Sequence, residues 1–182
     1  MKFTTNTPWG IAITEKAVAP GITRVSTQSH GGLILSHDRW AALEAALGGP
    51  VQSFAGRPYL EEDVDAALAV LVWPGLFGLM EVWEAVRMFS GTAPSTYQPM
   101  LAGRRYVARA NTLAVAKARA FENRHAQDWV VGGMSFLAPD RGWTLTLRRI
   151  GAMDEPGITV RISEYPTEIP IPGAEVAKMP RV

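Results

Sequence analysis

Apolar and polar residues alternate from Ile11 to Val18, with Ile11 and Ile13 set against Thr14 and Lys16, the period of a half-buried strand. Ala19-Pro20-Gly21 supplies a turn, and Ile22 to Thr27 returns as a second strand. Past a polar bend at His30-Gly31-Gly32, the triplet Leu33-Ile34-Leu35 reads as a third, so the N-terminal part predicts a three-stranded meander. The period then changes. Ser36 is placed to cap a helix, Asp38 opposes the dipole in its first turn, and Trp40, Leu43 and Leu47 share one face before Gly48-Gly49-Pro50 ends it. Glu61-Glu62-Asp63 opens a second helix that is apolar through Val72 and is stopped by Pro74-Gly75. A third, Leu76 to Phe89, closes at Ser90-Gly91.

Thr92 to Met100 has two prolines and no period, which predicts a loop or linker. An alanine- and arginine-rich helix follows from Gly103 to about His125. Asp128 to Leu137 and Trp143 to Ile150 predict a hairpin around 138–142, and Gly157 to Glu164 alternates as one more strand. The tail from Tyr165, with Pro166, Pro170, Pro172 and Pro180, is expected to be extended, draped over the body or frayed. Strands, then helices, then strands again make an α+β fold: an antiparallel sheet, formed by the N-terminal meander and C-terminal strands, against about four helices. The expected organisation is a single domain over 1–165 and a proline-rich tail over 166–182.

Composition changes this picture little. With 182 residues, 47% apolar and 19% charged, the chain holds one domain with a real core and is not a disordered segment. It has no cysteine, which removes disulfides, thiolate metal sites and a cysteine nucleophile and fits a reducing cytoplasm. Met1 to Pro8 has no apolar leader, and the apolar run Ala66 to Met80 is too short for a bilayer and is broken by Pro74-Gly75. A cytoplasmic location in a bacterial host and no membrane partner are therefore expected.

Net charge is only +1, but it is unevenly spread. Between Glu61 and Phe89, Glu61, Glu62, Asp63, Asp65, Glu81 and Glu84 face one cation, Arg87. Between Gly103 and His125 the balance inverts, with Arg104, Arg105, Arg109, Lys117, Arg119 and Arg124 against Glu122 alone. Such a block binds phosphates or an acidic protein surface. It serves equally well to neutralise the acidic helices inside the fold.

The densest candidate chemistry is Ser26-Thr27-Gln28-Ser29-His30-Gly31-Gly32. Its glycines permit positive φ, its amides and hydroxyls suit an anion, and His30 suits a general base or a contact residue. The plainer reading is a bend whose glycines are geometric and whose histidine bonds a nearby carbonyl, and it is favoured because no partner carboxylate stands at a telling spacing. A metal would need His30, His37 or His125 with Glu61, Glu62 or Asp63, and no ligand spacing supports one. Neither a dinucleotide fingerprint nor a P-loop occurs, so no cofactor is expected. His125 reads as a helix C-terminal residue. Of the six tryptophans, Trp40, Trp73 and Trp83 fall on apolar helical faces, and Trp9, Trp129 and Trp143 at strand edges.

Thr7-Pro8-Trp9-Gly10, then Gly21-Ile22 and Ser26-Thr27-Gln28-Ser29-His30-Gly31-Gly32, resemble an uncharacterised family of bacterial and phage mobile elements with a T-P-W-G start and an S-T-x-S-H-G-G turn. Tyr59-Leu60-Glu61-Glu62-Asp63 is similar to its Y-x-E-E-D helix start, and Trp129-Val130-Val131 to a later strand. The resemblance implies a small accessory protein and carries no catalytic residues. Its class of genes is rich in counter-defence factors. The first expectation is thus a non-enzymatic binding protein, of the anti-CRISPR or antirestriction type, that blocks a host defence protein or ribonucleoprotein complex through His30 and the cations Arg104, Arg105, Arg109, Lys117, Arg119 and Arg124. Second is a hydrolase or small-ligand enzyme centred on His30 with Glu61, Glu62 or Asp63. Third is a DNA or RNA binder acting through the basic helix 103–125.

Overall fold

In a computed structural model, which describes residues 5–89, 112–138 and 142–182, the chain is α+β and divides into two compact units, Met1–Arg119 and Ala120–Val182.

The first unit starts with a two-stranded ribbon, β1 (Asn6–Thr7) and β2 (Gly10–Ile11), turned at Pro8-Trp9. The meander follows as β3 (Thr14–Ala19), β4 (Ile22–Ser26) and β5 (Gly31–Leu35), all antiparallel. Its first strand begins at Thr14 and not at Ile11. Ile11 and Ile13 are 68% and 56% exposed, because alternation marks two faces without saying which one is covered. Helix α1 (His37–Leu47) is as expected: Ser36 Oγ accepts the Arg39 amide at 3.3 Å, Gly48 ends it at φ 75°, and Trp40 and Leu43 are buried. A fourth strand, β6 (Tyr59–Glu61), then pairs antiparallel with β5 and extends the sheet to the order β3-β4-β5-β6.

Helix α2 (Val64–Val72) is buried from Val64 to Leu71, as an element apolar on every side must be. Its one charged residue, Asp65, is 2% exposed, and one carboxylate oxygen accepts the Phe54 amide at 2.7 Å. Pro74–Leu76 forms a single 3₁₀ turn, so helix α3 starts later than its apolar pattern predicts and runs Leu79–Phe89. Leu33, Leu35, Trp40, Leu43, Leu60, Leu68, Leu71 and Val82 make the core of this unit. Helix α4 spans Thr112–His125; the first part of the basic helix expected from Gly103, and the loop expected over Thr92 to Met100, lie outside the described residues.

The second unit is a three-stranded antiparallel sheet in the order β7 (Trp129–Ala138), β8 (Gly142–Arg149), β9 (Ile158–Ile162). Leu145, Leu147, Val160 and Ile162 pack with Ile171 and Val176 from the proline-rich tail. That tail is tied down at both edges of its sheet. Ile171 and Trp129 exchange backbone hydrogen bonds of 2.9 and 2.8 Å beside β7, and a short helix α5 (Gly173–Val176) follows. Along β9, the Arg161 amide donates to Pro180 at 2.9 Å and the Val182 amide to Thr159 at 3.2 Å. The C-terminal strands thus form their own sheet and do not extend the N-terminal one.

Candidate functional site

The bend before β5 is closed by Thr27. Its amide donates to the His30 carbonyl at 2.7 Å, its hydroxyl donates to the same oxygen at 2.8 Å, and that hydroxyl accepts the amides of Ser29 and His30 at 3.4 and 3.2 Å. The Ser26 and Thr14 hydroxyls pair with each other across β3 and β4. The amides of Thr27, Ser29 and His30 are therefore engaged within the turn and are not offered to an anion.

Gly31 and Gly32 correct the expectation of a flexible bend. Both lie inside β5, buried, and neither has positive φ. Their lack of a side chain serves close approach. A Cβ on Gly32 would overlap the Leu60 carbonyl and reach 2.6 Å from the Trp9 ring; one on Gly31 would stand 2.6 Å from a Glu62 carboxylate oxygen and 2.9 Å from the Val25 carbonyl.

The strand brought close is β6, with Gly32 opposite Glu61, Leu33 opposite Leu60 and Ile34 opposite Tyr59. Successive strand residues point to opposite faces, but β6 stops at Glu61, and the Glu62 amide turns to donate to the Gly31 carbonyl at 3.1 Å. Both carboxylates consequently converge on His30. His30 Nδ1 lies 3.9 Å from Glu61 Oε1, and one ligand atom each of His30, Glu61 and Glu62 fall within 4.8 Å of one another. The His30 side chain is 57% exposed and that of Glu61 only 16%. Desolvation raises the Glu61 pKa above its ordinary value; the hydrogen bond from the Asp63 amide opposes the rise, and the charges of Asp63, Glu62 and Asp65 add to it. At 3.9 Å the pair is too long for the hydrogen bond that would orient a general base. Nor is His30 packed away on backbone groups.

Beside this cluster opens a cavity of about 580 Å³, lined by parts of β4 and β5, the start of α2 and one side of α3. Among the described residues, its charged lining is Glu62, Asp63, Glu81 and Glu84 with one cation, Arg24, whose guanidinium pairs with Glu81. Glu84 keeps an exposed surface, yet the cavity walls desolvate its carboxyl group and raise its pKa, with the Glu81 charge adding to the effect. Met88, Val70 and Ala67 supply an apolar floor.

The other expected residues fall elsewhere. The Lys117 amine donates to the Pro74 carbonyl at 2.8 Å, while Arg119 and Arg124 are exposed on α4. Arg104, Arg105 and Arg109 lie outside the described residues. His37 is exposed beside Asp38, and His125 bonds Asp128 at 2.8 Å. Trp40 and Trp83 are buried as expected and Trp73 half-buried; of the edge tryptophans, Trp9 and Trp129 are half-buried and Trp143 is 37% exposed. Sequence reasoning missed Arg24 and the shared cavity of Glu81 and Glu84, although their i, i+3 spacing places the two acids on one side of a helix.

The model of a family described as a domain of unknown function, DUF7007, matches residues 2–126. No curated protein and no solved structure matches the chain. Among the described residues no helix is long and apolar enough to cross a membrane.

Proposed function

The chain belongs to the DUF7007 family, and from that premise we propose that it is a small non-enzymatic binding protein that receives a cationic segment of a protein partner in the acidic cleft of its first unit. One observation carries the reading: among the described residues, four carboxylates and a single, already paired guanidinium line a cavity of about 580 Å³. Charge of one sign around a concave wall steers a partner of the opposite sign and fixes its register. The partner class is a host defence protein or ribonucleoprotein complex. Its nucleic-acid-binding surfaces are rich in lysine and arginine, which is the chemistry this cleft complements. The setting is that of an accessory protein of a mobile element in a bacterial cytoplasm, with inhibition by occupancy of the partner's surface.

The test compares the whole chain with its Glu62→Gln/Glu84→Gln double variant, since both side chains are exposed and the substitutions keep shape. The parent chain is expected to retain a defence component from host lysate, to lose it to a competing short DNA or RNA duplex, and to suppress interference with an incoming plasmid. The double variant is expected to bind at least about tenfold more weakly. Equal capture by both proteins, capture indifferent to the duplex, or undiminished plasmid interference overturns the reading.

A further inference from the structure

We propose that His30, Glu61 and Glu62 form a binding site for a first-row divalent metal ion. The inference goes beyond the binding role of the cleft and does not depend on it. Three donors of two chemical kinds arrive from two separate segments, the turn before β5 and the end of β6, and converge to within 4.8 Å. The convergence is built into the sheet. The register places Glu61 beside Gly32, the amide of Glu62 is fixed to the carbonyl of Gly31, and Gly31 has no side chain where the Glu62 carboxylate lies.

Among the described residues, no lysine or arginine pairs with Glu61 or Glu62. Two carboxylates that converge at the end of a strand, unpaired with any described lysine or arginine and beside an exposed imidazole, favour an added positive charge. Donors about 2.1 Å from a divalent ion stand roughly 3 to 3.5 Å apart from one another, so the observed 3.9 Å between His30 and Glu61, within a set spread over at most 4.8 Å, needs a closure on the order of 1 Å. The 57% exposed His30 ring is free to supply that closure.

The donor set also selects the ion. One imidazole and two carboxylates, without thiolate, favour Zn²⁺ or Mn²⁺ over Cu⁺, and the imidazole disfavours Mg²⁺ and Ca²⁺. Three protein donors leave a coordination position open. Glu62 is shared with the cleft wall, so that open position adjoins the cavity.

The experiment titrates Zn²⁺ alone, then Mn²⁺ alone, into the full chain, following heat of binding and the NMR signals of the three histidine rings. One equivalent of Zn²⁺ is expected to shift the His30 ring and leave His37 and His125 in place. His30→Ala and Glu61→Gln are each expected to weaken binding by at least about tenfold, and His125→Ala to leave it unchanged. Histidine signals that stay fixed throughout the titration, or Zn²⁺ binding that His30→Ala leaves intact, overturn the proposal. The ring signals are read on the unsubstituted protein, so the test stands even if a variant fails to fold.

Discussion

Each of the three histidines stands beside a carboxylate, and two of them, His125 and His30, are opposite in character. His125, at the end of α4, bonds Asp128 at 2.8 Å with both side chains only 26% exposed, and its ring lies 4.7 Å from that of Phe121. One acceptor and one aromatic neighbour hold that imidazole in place. His30 stands 3.9 Å from Glu61, is 57% exposed, and meets a second carboxylate in Glu62. The first pair is closed by a hydrogen bond between partly covered side chains. The second is open: the ring is exposed, its nearest carboxylate is beyond hydrogen-bond reach, and a second carboxylate lies close by. A histidine that completes a local structure and one that is available to a ligand are distinguished by bonding and exposure more than by mere proximity to an acid.

The sharpest way to break the contrast is to remove the geometry that creates the open pair. Gly32→Ala forces a methyl group against the Leu60 carbonyl and the Trp9 ring, and is expected to cost about 2–3 kcal/mol in urea unfolding. A loss below about 0.5 kcal/mol would mean that β5 and β6 separate easily and that the cluster at His30 is not held by the sheet.

Next in size is a direct comparison of the two rings. His125→Ala removes a half-buried charge-assisted bond and an aromatic contact, and is expected to lower stability by about 1–2 kcal/mol. His30→Ala is expected to change it by less than about 0.5 kcal/mol, since the ring is 57% exposed and stands beyond hydrogen-bond reach of Glu61. Chemical denaturation of both variants checks the order; equal losses would erase the distinction between closed and open.

The smallest effect concerns the acidic wall. The Glu84 carboxyl has its pKa raised from 4.5 by desolvation and then by Glu81, so the folded chain favours the protonated form. Its contribution to stability is intact below the ordinary value and is lost as pH rises through the interval up to the raised one. Glu84→Gln is therefore expected to raise the melting temperature slightly at neutral pH and to leave it unchanged at acid pH. Thermal scans at the two conditions read the sign, and a drop at neutral pH would show that the carboxylate is stabilised where it stands.

Much of the fold was legible because it rests on local rules. Ser36, Asp38 and Gly48 announce α1 by capping chemistry, and Ile158 to Ile162 announces β9 by alternation. Ile22 and Leu33 to Leu35 mark the meander that sits under the first core. The strand β6 was not legible. Three residues are too few for a period, and Tyr59–Glu61 precedes a helix whose acidic opening absorbs the same glutamates. The site was legible only as a set of candidates: His30 with Glu61, Glu62 or Asp63 was one expectation, but that Glu61 and Glu62 meet His30 follows from a long-range pairing, and no spacing along the chain encodes it. One signal pointed there all the same. Two adjacent glycines within an apolar strand ask what approaches the backbone, and the answer here is the Leu60 carbonyl and the Glu62 carboxylate.

The tail of the second unit has a consequence for how the molecule keeps to itself. A three-stranded sheet on its own offers two rows of unpaired amides and carbonyls, and each is a template on which another chain can add a strand. By hydrogen bonding at Ile171 beside β7 and at Pro180 and Val182 beside β9, one short proline-rich segment occupies part of both rows. Proline within it presents no amide to a newcomer, so the same residues that close the sheet make a poor surface for further growth. Clipping the chain after Tyr165 would thus remove a guard against self-association as well as part of the core.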